Sequence, residues 1–414
     1  MNNPAFPWRH LAAAPHRSMF LAGSLQGVMT MLWWVADLAG RYGIAGGAAE
    51  WSIAPAGAHA FLMIYGFFPF FILGFLFTTF PSWLNGEKIP PRDFLASCLL
   101  MTAGIMLFYV GLAADKWFAI MGGFLLLAGF SVAVHALARV LVRAKDQDRR
   151  HPFAAMAALI AGWLGMAAYL LWLLTDTFAL LDFSRSAGIW FFLLPIVMIV
   201  SHRMIPFFSS RVLDDYVLVR PYWMLWLMLS CSFAHGMLEL SDDALHYLWV
   251  FDLPLAACAI YLSLTWGLLR SFRVHLLAVL HISFAWLSVS MLLYGGQSLV
   301  FFASGGRLSP FGLAPLHALA IGYFAGMVLG MASRVTLGHS GRPLVLDQFS
   351  WLLFLGFQIT VALRIAPDIL PEALSMDGPG LYVLGGLCWL ICFSLWTRRY
   401  APIYWRERAD GKPG

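Results

Sequence analysis

The sequence predicts an all-α membrane protein, a polytopic bundle of twelve transmembrane helices with both termini cytoplasmic. Three observations carry this reading. Of 414 residues, 61% are hydrophobic and 11% charged, with a mean hydropathy of +0.77, whereas soluble domains carry about 25% charged residues. The apolar residues fall in runs of about 17 to 25, the length at which a helix crosses a bilayer, without the alternation of a membrane barrel. Lys and Arg gather on alternate sides of those runs, as the positive-inside rule requires.

Taken in order, residues 1–18 hold Pro4, Pro7 and Pro15 among polar neighbours and lack the apolar core of a cleavable signal, so they read as a cytoplasmic segment. The first helix, 19–38, follows Arg9 and Arg17 and serves as the anchor; Arg41 lies outside. The second, 58–79, and the third, 93–111, enclose Lys88 and Arg92 inside, and Lys116 lies outside before the fourth, 118–140. Arg139, Arg143, Lys145, Arg149 and Arg150 mark the inner passage to the fifth, 152–174. Arg185 is outside, and Arg203, Arg211 and Arg220 lie inside between the sixth, 187–206, and the seventh, 222–240. Arg270 and Arg273 separate the eighth, 247–269, from the ninth, 275–295. Arg307 is outside, Arg334 and Arg342 close the tenth, 313–335, and Arg364 ends the eleventh, 350–365, outside. The twelfth, 380–397, leads to a charged cytoplasmic tail, 398–414. Thus 21 of the 26 Lys and Arg are inside and 5 outside. Miscounting one helix would destroy so sharp an asymmetry. The net charge of +5 is therefore topogenic and does not point to nucleic acid. With no soluble domain predicted, chemistry belongs to the bundle or its rim.

Cys98, Cys231, Cys258, Cys388 and Cys392 all fall in predicted helices, where a thiol packs as a small hydrophobe. Cys388 and Cys392 share a face and are minor copper candidates. The histidines separate by depth at 1.5 Å per residue. His59, His235 and His317 fall in an outer layer; His135, His202 and His281 fall in an inner one. His275 and His339 lie at the inner rim, His246 in an outer loop, and His10, His16 and His151 are expected on the cytoplasmic surface. Intramembrane histidines are functional-site candidates by default. Small residues flank the deep ones, Ala314, Ala320 and Gly322 near His317, Ala278 and Ala285 near His281, and Ala56 and Gly66 near His59, with Met63 as a soft copper ligand and Phe284 and Trp286 as walls for a porphyrin. The competing reading is that such histidines only hydrogen-bond between helices. Among acidic residues, only Asp37 and Asp252 are expected within or at the edge of a helix. Proton pumping is therefore disfavoured, and protons for an outer site would come from the outer face.

Several motifs together resemble the NnrS family of bacterial membrane proteins. They are Pro15-His16-Arg17, Gly74-Phe75-Leu76-Phe77-Thr78-Thr79-Phe80-Pro81-Ser82-Trp83, Arg203-Met204-Ile205-Pro206-Phe207-Phe208, Leu280-His281 with Phe284 and Trp286, and the run from Leu316-His317 through Met331-Ala332-Ser333-Arg334 to Gly338-His339-Ser340-Gly341-Arg342. The resemblance spans nearly the whole chain. It implies haem b and copper as cofactors, nitric oxide or a related small nitrogen species as partner, and the bacterial inner membrane as location. Haem ligands are then expected among His59, His317 and His281, metal ligands among these and His202, His235 and His339, and an inner haem or anion at Arg334 and Arg342. The chain departs from the family at His59-Ala60-Phe61-Leu62-Met63, where a second His and a Glu are replaced, and at Ser201-His202-Arg203, where a His is gained. A fold-level analogy to haem-copper oxidases, with histidines on helices 2, 6, 7 and 10, matches His59, His202, His235 and His317 and favours His59 with His317 as a haem pair. The function expected is nitric oxide handling by a redox enzyme or protective protein. The alternatives are a non-catalytic nitric oxide-binding or electron-transfer protein, and a copper or haem transporter. No internal repeat supports the transporter, and the sequence does not identify catalytic residues or an electron donor.

Overall fold

The computed structural model describes residues 8–44, 46–144, 148–370 and 378–412. All regular elements among them are helical. Twelve long helices follow in order: α1 (Pro15–Arg41), α2 (Pro55–Trp83), α3 (Pro91–Ala113), α4 (Lys116–Arg143), α5 (Arg150–Thr175), α6 (Phe178–Ser210), α7 (Tyr222–Glu239), α8 (Ala244–Thr265), α9 (His275–Ala303), α10 (Ala314–His339), α11 (Gln348–Ile369) and α12 (Gly378–Tyr404). Eleven are long and apolar enough to cross a membrane, so the chain is a multi-pass helical membrane protein. The expected twelfth span, α7, is a helix of 18 residues that is not among the eleven. His235, Glu239 and two tryptophans make it more polar than its neighbours. Lys145, placed inside by sequence, lies outside the described residues.

Helix starts follow local chemistry. Pro15, Pro55 and Pro91 open α1, α2 and α3, where proline's missing N–H costs nothing and its fixed φ suits the first turn. Asp115 caps α4 by accepting from Trp117 N at 2.8 Å, and Asp347 caps α11 by accepting from Ser350 N at 2.9 Å. The tightest helix pair is α3 with α4. Gly104 and Gly111 face Gly122 and Ala119 so closely that a Cβ on Gly111 would lie 2.1 Å from Ala119 N. Without a hydrophobic drive between helices in lipid, such backbone approach is what holds them together.

Successive helices pack side by side, and α12 returns to pack against α1. Three helices fill the middle. The most apolar stretch of α2 is 89% buried and those of α6 and α10 are 78% buried, against 28% for α11. Tyr65 of α2 donates to Ser184 O of α6 at 2.6 Å, and Tyr323 of α10 lies 3.1 Å from Ser201 Oγ of α6. The core is thus tied by buried hydrogen bonds as well as by packing.

Two surface expectations need correction. His16 is 3% exposed and His151 is fully buried. Their place beside charged residues hid the tertiary partners that cover them. Acidic residues in helices are also more numerous than expected, since Asp93, Asp182, Glu239 and Asp368 join Asp37 and Asp252. All sit near helix ends or in ion pairs, such as Asp368 with Arg364 at 2.9 Å.

Candidate functional site

Each of the three central helices changes to π-helical geometry part-way: Leu62–Phe67 in α2, Ala187–Leu193 in α6 and Ala318–Ala325 in α10. Sequence accounts for two of them. Pro69 and Pro195 have no N–H to return to Tyr65 O and Phe191 O, four residues earlier, and each of those carbonyls lies inside the π segment. In α10, Gly322 and Gly326 take proline's place as the permissive residues. Wide turns of this kind leave carbonyls for other donors and concentrate at functional sites. Ser232 of α7 donates to Trp190 O at 2.6 Å inside the α6 segment. The segments lie at a four-helix spacing, in helices 2, 6 and 10.

His59 and His317 stand just ahead of two of these segments, on α2 and α10, which pack together. The imidazole of His317 is close enough to His59 and Arg364 to interact with both electrostatically. Its Nδ1–H donates to Leu313 O at 2.9 Å, which puts the lone pair on Nε2. A backbone carbonyl on one nitrogen is the usual support for a ligand histidine. His59 stacks on Trp34 of α1, with ring centroids 4.0 Å apart and planes 12° from parallel, and its buried Nδ1 has no hydrogen-bond partner among the described residues. Stacking covers the ring face and leaves the in-plane lone pair free. Arg364 and Arg41 are cations in electrostatic range of His59. Each is paired one turn along its own helix, Arg41 with Asp37 and Arg364 with Asp368. Trp34, Arg41 and Arg364 were not singled out by sequence; the available signal was that two of the five outer cations end helices.

A second buried group forms around His235. Its Nδ1–H donates to Asp252 Oδ1 of α8 at 2.6 Å, and its ring stacks on Trp190 at 3.4 Å and meets Tyr294 edge-on at 5.1 Å. His235 Nε2 and Asp252 Oδ2 are buried without partners among the described residues. This carboxylate–imidazole pair resembles the outer support of a metal ligand. However, no three His, Cys, Asp or Glu side chains converge on a metal-sized site among the described residues.

The inner residues are differently engaged. His281 is 1% exposed, and its Nε2 lies 3.0 Å from Ser209 Oγ of α6. His202 Nε2–H donates to Pro221 O at 3.2 Å, because a carbonyl can only accept, so its Nδ1 accepts from His151 Nε2–H at 3.0 Å. Both nitrogens a metal would use are thereby occupied. Tyr222 OH lies 3.3 Å from His151 Nδ1 and 2.9 Å from Asp148 Oδ2. Arg150 grips Asp148 at 2.9 and 3.1 Å and holds its carboxyl well below the usual carboxylate range. His339 Nδ1–H donates to Val335 O at 3.0 Å, and its ring centroid is 4.9 Å from that of His16. Arg334 lies 3.8 Å over the ring of Phe208, while Arg342 is in electrostatic range of Arg17, so the two arginines have different neighbours. Gly322 seats the ring of Trp286, whose Nε1 donates to Gln358 Oε1 at 2.7 Å.

The outer His pair, the paired cations and the motif at the end of α10 are joined by one further finding: residues 10–408 match the model of the NnrS protein family. The chain belongs to the NnrS family. Family membership supports a nitric oxide-linked membrane protein. No curated protein matches the chain. Within the NnrS match fall both His59 with His317 and the inner motif, which the fold places at opposite ends of α10.

Proposed function

We propose that this protein handles nitric oxide at a haem b held in the outer half of the bundle by His317 and His59. The observation that carries the reading is the pair itself, two histidines on adjoining central helices, each beside a π segment. His317 has its tautomer set so that Nε2 is free to ligate, and His59 has an unpartnered buried nitrogen. Arg41 and Arg364 would receive the propionates by charge-assisted contacts. Trp34 would hold the His59 ring in its plane. When bound, the haem would supply the iron chemistry by which a diatomic gas is taken up.

The gas needs a dry route. An apolar cavity of about 50 Å³ lies between α1, α2, α6 and α10, lined among others by Phe71, Val200, Phe324 and Met331. A cavity lined only by apolar groups stays dry and accepts small apolar guests, a place suited to nitric oxide inside the bundle. Copper is less well provided for. His235 with Asp252 offers one supported ligand, and a three-residue copper centre does not fit the described donors. In this reading His202, with both ring nitrogens spent on protein, and Arg334, held over the ring of Phe208, secure the inner half; His281, which keeps a buried Nδ1 without a partner among the described residues, and His339, which spends only Nδ1 on Val335 O, are the reserve ligands. The membrane proposed is the bacterial inner membrane.

Spectra of the purified full chain, reduced and then exposed to nitric oxide, test this. The expected result is a Soret band that shifts with nitric oxide and is lost or converted in His317→Ala and in His59→Ala. If both variants insert and keep the wild-type spectrum, the pair is wrong, and His281 becomes the preferred ligand.

A further inference from the structure

We propose that a groove at the rim between the end of α10, the start of α11 and the end of α12 binds the headgroup of an anionic diphosphate lipid. The groove encloses about 670 Å³ and includes Arg342, Arg398, Arg399 and Arg406 in its wall, with Asp347 as its one carboxylate. Four positive charges less one negative leave +3. Asp347 is already engaged, since it accepts from Arg399 and caps α11. Arg342 has a buried Nη1 without a hydrogen-bond partner among the described residues. An unmet guanidinium donor in a cationic groove is suited to an anion, and its planar fork matches phosphate oxygens at two points.

Two features select a lipid over a free anion. The same groove carries apolar side chains that face outward, Val345 at 69% and Phe349 at 48% exposure. Phe349 belongs to the first turn of α11, whose apolar stretch is the least buried of the eleven candidate spans, and Val345 lies in the segment just before it. A soluble phosphate has no use for them, whereas acyl chains would run along them below the headgroup. Basic pockets between membrane helices are suited to lipids carrying more than one phosphate, and a charge of +3 fits two phosphates better than one. The site lies at the opposite end of α10 from His317, so it is independent of the haem reading.

Native mass spectrometry of the detergent-solubilised full chain tests the proposal with diphosphatidylglycerol, phosphatidylcholine and inorganic pyrophosphate as probes. Diphosphatidylglycerol is expected to remain bound where phosphatidylcholine is stripped. The triple variant Arg342→Gln, Arg398→Gln, Arg406→Gln should bind it at least about tenfold more weakly. Because these arginines also set topology, Arg398→Gln and Arg406→Gln alone, both of exposed side chains, carry the test if the triple variant fails to insert, each with a loss of about fivefold. The haem spectrum should not change in any of them. Equal retention of the two lipids, or binding unchanged in the variants, overturns the site. Displacement of the lipid by pyrophosphate at equal concentration overturns the lipid as occupant and leaves a plain anion site.

Discussion

At the residue scale, burial decides what each histidine can do. His235 and Asp252 are both withdrawn from water, and their 2.6 Å contact fixes which imidazole nitrogen carries the proton. Asp252→Ala would leave His235 Nδ1–H buried without an acceptor, a cost of about 1–3 kcal/mol, whereas Asp252→Asn keeps an acceptor oxygen. The expected outcome is a clear fall in the thermal unfolding midpoint for the alanine variant and a smaller one for asparagine, measured in detergent. Equal effects would mean that packing and not the hydrogen bond holds the pair. The same logic separates His317 from His202. One has a carbonyl on Nδ1 and an unspent lone pair, while the other spends both nitrogens on protein. Residue type alone cannot distinguish them, because the difference lies in neighbours from other helices.

At the element scale, helices are long where composition demands it and distorted where proline or glycine permits it. The contact of α3 with α4 depends on glycines that allow backbones to touch. Gly111→Ala would drive a methyl to 2.1 Å from Ala119 N, and the required separation of the helices should cost about 1–3 kcal/mol. Gly57→Ala is the control, since a Cβ there meets only Trp172 at an ordinary 3.5 Å. Thermal unfolding midpoints of the two variants check this, and an equal drop in both would remove the special role of Gly111. The helices themselves were legible from apolar run length, and α1 to α12 match the expected order. The π segments were not. Hydropathy does not register one extra residue in a turn, and Pro69 and Pro195 alone do not tell whether a helix kinks, breaks or widens.

At the scale of the whole molecule, α7 controls topology. If it spans, both termini share a side and the basic residues divide 21 to 5. If it does not, every inner and outer position after it exchanges, and that asymmetry is lost. Reporter fusions at the two termini should therefore both be active only in the cytoplasm. A periplasmic C-terminus would remove α7 as a span and place His317 and His59 at opposite depths, ending their candidacy as a pair. The closure of α12 onto α1 leaves α2, α6 and α10 at the centre, and these are the helices that carry both the π segments and four of the candidate histidines, His59, His202, His317 and His339.

By itself the sequence determined the membrane class, the order of helices and the family motifs. Each depends on quantities that are local or additive along the chain, namely apolar length, charge sign and fixed rise per residue. Only the tertiary structure decided which polar groups are already satisfied. It buried His16 against His339 and His151 against His202, paired Arg364 with Asp368 beside the His59 and His317 pair, and brought four arginines to one groove. The physical reason is that a hydrogen bond or ion pair between helices is set by which faces pack together. In a bundle made almost wholly of apolar helices, many faces look alike until close approach at glycines and buried polar contacts select one arrangement.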